Sequence, residues 1–86
     1  MNLISENIIP GNHGKIFGTD VLKDEQMERV KVRLQKIDGV KSVTLIKGVF
    51  PKEFIVYTSK LISISTIQDE VNNMGLHAIP KGLFEL

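Results

Sequence analysis

Two stripes of apolar residues, each at helical spacing, recur along this chain at a constant offset of 37 positions. The first stripe consists of Met27, Val30, Leu34 and Ile37, and the second of Ile64, Ile67, Val71 and Met74. The spacing i, i+3, i+7 and i+10 places each set on one side of an α-helix. Gly39 and Gly75 follow the stripes, where helices commonly end on a left-handed residue. The sequence therefore predicts two amphipathic helices.

Four segments around these helices have the composition of strands: 15–22, 40–47, 53–59 and 76–80. The same offset relates Phe17 to Phe54, so Phe54 and Val56 are predicted to face the helices. A strand–helix–strand unit used twice is the ferredoxin-like βαββαβ sandwich. We therefore predict an α+β fold, with a four-stranded antiparallel sheet and two helices on one face.

The helix starts are less clearly marked. Asp20 and Asp24 are alternative N-caps for the first helix, and the sequence does not decide between them. Ser63 is favoured over Ser65 for the second helix, because Ile62 and Ile67 would then form a hydrophobic staple.

A turn cluster at residues 10–14 divides the chain into an N-terminal arm, 1–14, and a domain, 15–86. The apolar residues of the arm are expected to dock on the domain, for example as an extra edge strand. The arm lacks the basic start of a signal peptide, and no apolar run approaches the roughly 20 residues that span a bilayer. We expect a cytoplasmic protein without membrane contact, such as a bacterial cytosolic one.

Charge and cysteine content exclude several functions. A net charge of +1 gives no reason to expect nucleic acid as a partner, although seven basic residues and one acidic residue lie between Arg29 and Lys52. The absence of cysteine excludes disulfides, thiolate metal sites and cysteine nucleophiles. We find no serine–histidine–aspartate order and no glycine-rich phosphate loop, so the chain is predicted not to be an enzyme.

The segment Leu34–Val43 has the pattern L-x-x-I-x-G-V-x-x-V, which resembles the heavy-metal-associated domain family. The second half is similar to the family's second helix, at Ser63, Ile67, Val71 and Met74-Gly75-Leu76. The resemblance covers residues 15–80 and implies the ferredoxin-like fold. Members of this family carry metal ions in copper chaperones, metal-pumping ATPases and mercury-binding proteins.

The chain departs from this family at its metal loop. Counting back from Leu34, the family's two cysteine positions are occupied by Lys23 and Gln26. An ammonium and an amide offer no soft donor, so we expect neither soft-metal binding nor any cofactor. The alternative is a metal ion held by His13, His77, Asp20 and Asp24, although carboxylates at a helix start more often serve as caps.

The fold leaves one face of the sheet open, which allows two further hypotheses. RNA-recognition motifs read bases with aromatic residues on such a face, but Phe17 and Phe54 are assigned to the core, which leaves Tyr57 alone. Alternatively, the face carries an apolar patch that contacts a protein partner or a second copy of the chain. Its members would be Ile46, Val49, Phe50, Ile55 and Tyr57. The arm from Leu3 to Ile9 or the tail at Leu83–Phe84 could instead cover this patch.

Overall fold

The computed structural model describes the backbone of residues 8–85 and the side chains of residues 8–81. It contains six strands and two helices among these residues. In chain order they are β1 Ile8–Ile9, β2 Gly14–Thr19, α1 Asp24–Gln35, β3 Val40–Ile46, β4 Glu53–Thr58, β5 Ile62–Ser63, α2 Ile64–Asn73 and β6 Ala78–Glu85.

The strands form two antiparallel sheets, one with the order β3-β4-β2-β6 and a small one of β1 and β5. The central pair β2–β4 places Phe17 opposite Phe54. The prediction of a small α+β fold with two helices and an antiparallel sheet is confirmed, and the fold is compatible with a ferredoxin-like arrangement. The second sheet was not predicted. Strands β1 and β5 are additional to the four strands of a plain βαββαβ chain and lie outside the larger sheet.

Helix α1 begins without a side-chain cap. Its N-cap is Lys23, whose extended backbone precedes the helix and whose side chain cannot accept a hydrogen bond. Neither proposed aspartate is therefore the cap: Asp24 is the first helical residue, and Asp20 bonds elsewhere. The carboxylates of Asp24 and Glu25 still lie in the first turn, where the helix dipole favours them. At the other end, α1 stops at Gln35 with Lys36 as its C-cap, so Gly39, with a φ of +98°, lies in the turn before β3 and does not close the helix as predicted.

Helix α2 begins as predicted. Ser63 is its N-cap, and the Ser63 hydroxyl accepts a hydrogen bond from the Ser65 backbone N–H at 3.2 Å. Ile62 and Ile67, the residues of the predicted staple, are both buried. Gly75 follows the helix with a φ of +78°.

One apolar core joins the helices to the larger sheet. It contains the buried parts of both stripes together with Phe17, Phe54, Val43 and Val56. The rings of Phe17 and Phe54 stack with their centroids 5.3 Å apart. Phe54 and Val56 thus face the helices, as the 37-residue offset predicts.

The chain ends differ from the sequence-based expectation. Strand β6 continues beyond Pro80, because an edge strand tolerates a residue without an N–H on its free side. Of the arm, Ile8 and Ile9 pair with β5 instead of extending the large sheet, and Ile9 is buried in the core. Leu3, Ile4, and the side chains of Leu83 and Phe84 lie outside the described residues. Neither described helix is long and apolar enough to cross a membrane.

Candidate functional site

The two ends of the larger sheet are built differently. At the closed end, defined here by β1, β5 and residues 10–14 and 39, the arm folds over the core. At the open end, defined by residues 20–23, 47–52 and 76–79, three loops meet. The family's metal loop would lie at this open end, because α1 starts there.

Asp20 and His77 meet at the open end although they are far apart in sequence. The Asp20 carboxylate accepts the His77 backbone N–H at 2.8 Å, and its second oxygen lies 2.9 Å from His77 Nδ1. The side-chain and backbone hydrogen bonds from His77 hold the pKa of the Asp20 carboxyl below its ordinary value. This carboxylate therefore fixes both the loop and the imidazole of His77.

Thr19 reinforces this connection from the end of β2. Its hydroxyl donates a hydrogen bond of 2.7 Å to the His77 carbonyl oxygen. Its backbone N–H donates to the Lys52 carbonyl oxygen at 2.9 Å. One residue thus joins the loop before β6 to the loop before β4, which positions the three segments around a common space.

That space is a cleft of about 370 Å³. Its lining residues are Gly18, Thr19, Asp20, Pro51, His77, Ile79 and Lys81. Ile79 and Pro51 supply apolar walls, and the Asp20–His77 pair forms a polar edge. A cleft with apolar walls and few polar groups is suited to an apolar group of a ligand or partner.

Exposed apolar side chains belong to the same segments. Phe50 is 85% exposed, Leu22 72% and Ile79 66%. Val49 is also exposed. Single exposed apolar residues are ordinary on protein surfaces. Among these four, Ile79 lines the cleft, and Phe50 directly precedes Pro51, which also lines it.

Several charged groups around the open end are paired. Asp24 lies 3.0 Å from Lys52 Nζ, and this hydrogen bond lowers the pKa of the Asp24 carboxyl. Glu53 and Lys81 form an ion pair that crosses over Gly18. Farther along α1, Lys47 contacts Glu28 at 2.8 Å, which lowers the pKa of Glu28 and raises that of Lys47. The basic residues Lys47 and Lys52 noted in the sequence are therefore neutralised locally.

The structure brings together only two of the four weak metal candidates, Asp20 and His77. His13 lies at the closed end, where its Nδ1 is 3.0 Å from the Gly11 carbonyl oxygen, and Asp24 is paired with Lys52. No three histidine, cysteine or acidic side chains in the described part of the chain are grouped so that they could hold a metal ion. Lys23 is exposed before α1, and Gln26 is half-buried in its first turn.

The proposed interaction face is divided. Ile46, Ile55 and Tyr57 are half-buried on the outer face of the sheet, the face away from the helices, while Val49 and Phe50 are exposed at the open end. The Tyr57 ring lies over Gly14, where an added Cβ would be 2.8 Å from its carbons. This cross-strand packing already uses one side of the ring that RNA stacking would require. Phe17 and Phe54 are buried.

No protein-family model matches the chain, and no curated protein matches it significantly.

Sequence reasoning missed Leu22 and Ile79 as members of the open end. Leu22 was placed in the first strand, and Ile79 was assigned to a short last strand without an orientation. The pairing of β2 with β6 determines the orientation of Ile79, because it sets Ile79 opposite Gly18 on the outer face of the sheet. The Asp20–His77 contact depends on this same register.

Proposed function

We propose that the chain is a small, non-enzymatic interaction module that binds a protein partner through its open end. The observation that supports this most is the apolar cleft, which Ile79 lines, together with the exposed side chains of Phe50 and Leu22 in the loops of the same end. We further propose a ferredoxin-like domain of the heavy-metal-associated type, in which the cysteine motif is replaced by Lys23 and Gln26. The two apolar stripes support this relationship, as does the helix–glycine–strand pattern of Leu34–Val43.

The cleft lies near the loop that holds the metal ion in the family that the sequence resembles, which supports a binding role without metal for this end of the chain. In the family that the sequence resembles, the loop before the first helix holds the metal ion. Here that loop contains Asp20, which bonds His77, and the exposed Leu22. Lys23 and Gln26 stand at the positions of the thiolate donors, and the cleft near this loop has apolar walls with one polar edge. Such a surface selects side chains rather than soft ions.

The partner is expected to present an aromatic or branched aliphatic side chain. Apolar area buried in the cleft would contribute about 25 cal/mol per Å², so a single anchoring side chain supplies most of the binding energy in a small interface. The Asp20–His77 edge would orient it through polar contacts.

A displayed library of random peptides tests this function. We expect selection on the wild-type protein to enrich aromatic or branched aliphatic peptides that bind the double variant Phe50→Ala, Ile79→Glu at least tenfold more weakly. Leu61→Glu is the matched control, because Leu61 is also exposed but lies beside the closed end. Peptides that bind all three proteins equally, or no enrichment, would contradict the proposal.

Metal binding by non-cysteine ligands is the second candidate. The observation in its favour is that Asp20 holds His77 Nδ1, an arrangement that orients the opposite ring nitrogen toward an external ligand. The described residues do not complete a metal site by themselves. Titration with Zn²⁺ and Ni²⁺, followed by amide shifts, would support this candidate if His77→Ala abolished the response and His13→Ala preserved it. A flat response at residues 18–27 and 77 would exclude it.

A further inference from the structure

We infer that the partner of the open end is a second copy of this chain, with Phe50 of each copy inserted into the cleft of the other. This inference rests on the proposed function and identifies its partner. A single contact of this kind would bury both the exposed Phe50 side chain and the apolar cleft.

The first argument is that the protruding group and the cleft belong to one surface. Phe50 is 85% exposed, and the next residue, Pro51, lines the cleft. A two-fold symmetric dimer requires the same patch to complement itself, so a projecting side chain must lie beside the depression that receives its counterpart. Phe50 and the cleft meet this requirement.

The size and chemistry of the cleft suit a phenyl ring. Its volume is about 370 Å³, whereas an apolar protein cavity of about 150 Å³ suffices to bind benzene. Pro51 and Ile79 offer apolar contacts, and the methylene chain of Lys81, which crosses over Gly18, adds a third. The ring would gain burial without leaving a polar group unpaired.

The charges around the cleft permit two copies to approach. Asp20 with His77, Asp24 with Lys52, and Glu53 with Lys81 are local pairs of acidic and basic groups. Each copy therefore presents little net charge to the other. The outward side of α1 differs, because Arg29 and Lys36 make no ion pair within the described residues and would repel the same surface of another copy.

The contact should be weak and rapidly exchanging. Its apolar part consists of a few side chains, chiefly Leu22, Val49, Phe50 and Ile79. Interfaces below about 1,200 Å² are typical of transient complexes, so we expect a dissociation constant between about 1 µM and 1 mM.

Sedimentation equilibrium over about 10 µM to 2 mM, with amide spectra along the same dilution series, tests the inference. We expect the wild-type mass to rise with concentration, and Phe50→Ala to weaken association at least tenfold. Leu61→Ala removes an exposed apolar side chain beside the closed end and should associate like wild type. Thermal melting would confirm that the exposed-site variants are folded.

Mixing two defective variants provides a sharper measurement. Phe50→Ala retains the cleft, and Ile79→Glu retains Phe50 but places a carboxylate in the cleft wall. Each variant alone loses both Phe50–cleft contacts, whereas the mixed pair recovers one of them. We therefore expect the mixture to associate more strongly than either variant alone.

The outcomes separate the inference from the function on which it rests. A wild-type protein that stays monomeric at about 2 mM, yet binds the selected apolar peptides, would overturn the second copy as partner and leave the interaction site intact. A monomer that binds no peptide would overturn both. Self-association that survives Phe50→Ala, or a mixture no stronger than its components, would overturn the insertion of Phe50.

Discussion

The closed and open ends of the sheet show how one small domain divides stability from recognition. At the closed end, Ile9 is buried, and the Thr58 hydroxyl donates to the Pro10 carbonyl oxygen at 2.6 Å. At the open end, Ile79 and Phe50 face outward, and the polar contacts join loops rather than filling a core. The same residue types therefore have different roles at the two ends.

This difference follows from how the two ends are covered. The described part of the arm crosses the closed end through β1 and packs Ile9 among the helices and β5. No comparable segment of the described chain crosses the open end, so its apolar residues stay accessible. Equivalent substitutions at the two ends should therefore change the free energy of unfolding by different amounts.

The largest difference is expected between two isoleucines. Ile9→Ala removes a side chain that is 0% exposed and should reduce the free energy of unfolding by about 2–4 kcal/mol. Ile79→Ala alters a side chain that is 66% exposed and should change the free energy of unfolding by less than about 0.5 kcal/mol. Urea denaturation measures both, and equal losses would abolish the distinction between the ends.

Two threonines give the next comparison. Thr58→Val removes the hydrogen bond of 2.6 Å that the buried hydroxyl donates to the Pro10 carbonyl oxygen, and should cost about 1–3 kcal/mol. Thr44→Val on the exposed side of β3 should cost less than about 0.5 kcal/mol. If Thr58→Val were as stable as wild type, the hydroxyl would not secure the arm.

Two glycines should differ by a smaller amount. Gly39→Ala forces an L-residue to a φ of +98° and puts its Cβ 3.0 Å from Ile62, so we expect a loss of about 1–2 kcal/mol. Gly48, in the loop at the open end, has no atom within 4 Å of an added Cβ. Gly48→Ala should be neutral to within about 0.5 kcal/mol. Thermal denaturation of the pair tests whether the closed end is the strained one.

The smallest effect is the pH dependence of the Asp20–His77 contact. Because the folded protein lowers the pKa of Asp20, the ionised carboxylate stabilises the fold above its ordinary pKa of 3.8. This contribution is lost as the pH falls through the lower, folded-state pKa. The site is half-exposed, so we expect less than about 1 kcal/mol.

Comparing Asp20→Asn with wild type from about pH 7 to pH 2 isolates this term from the other carboxylates. The variant should be less stable at neutral pH, and the difference should shrink in acid. A difference that grows as the pH falls would contradict the assigned role of Asp20.

Local patterns in the sequence were sufficient to predict the scaffold. Helical spacing identifies α1 and α2, the staple identifies Ser63 as a cap, and the offset identifies Phe54 as a core residue. These features depend on residues close in sequence or on a repeat. The arm was expected to dock as an extra strand, but its partner β5 was missed, because two residues are too few for a period to be seen.

The open end could be predicted only in part. Phe50 and Val49 follow from a loop with apolar residues, but the contact of Asp20 with His77 depends on the register of β2 and β6. No local signal encodes this register. Similarly, the N-cap of α1 could not be recognised as Lys23, because that residue makes no side-chain cap.

The sheet order also has a consequence for biosynthesis. Strand β2 lies between β4 and β6, so one of its two neighbours is a strand that emerges from the ribosome much later. Until β6 is synthesised, one backbone edge of β2 remains unpaired beside an apolar core. A nascent chain in this state is exposed to pairing with other chains, so late pairing of β6 is the step at which chaperones would protect it.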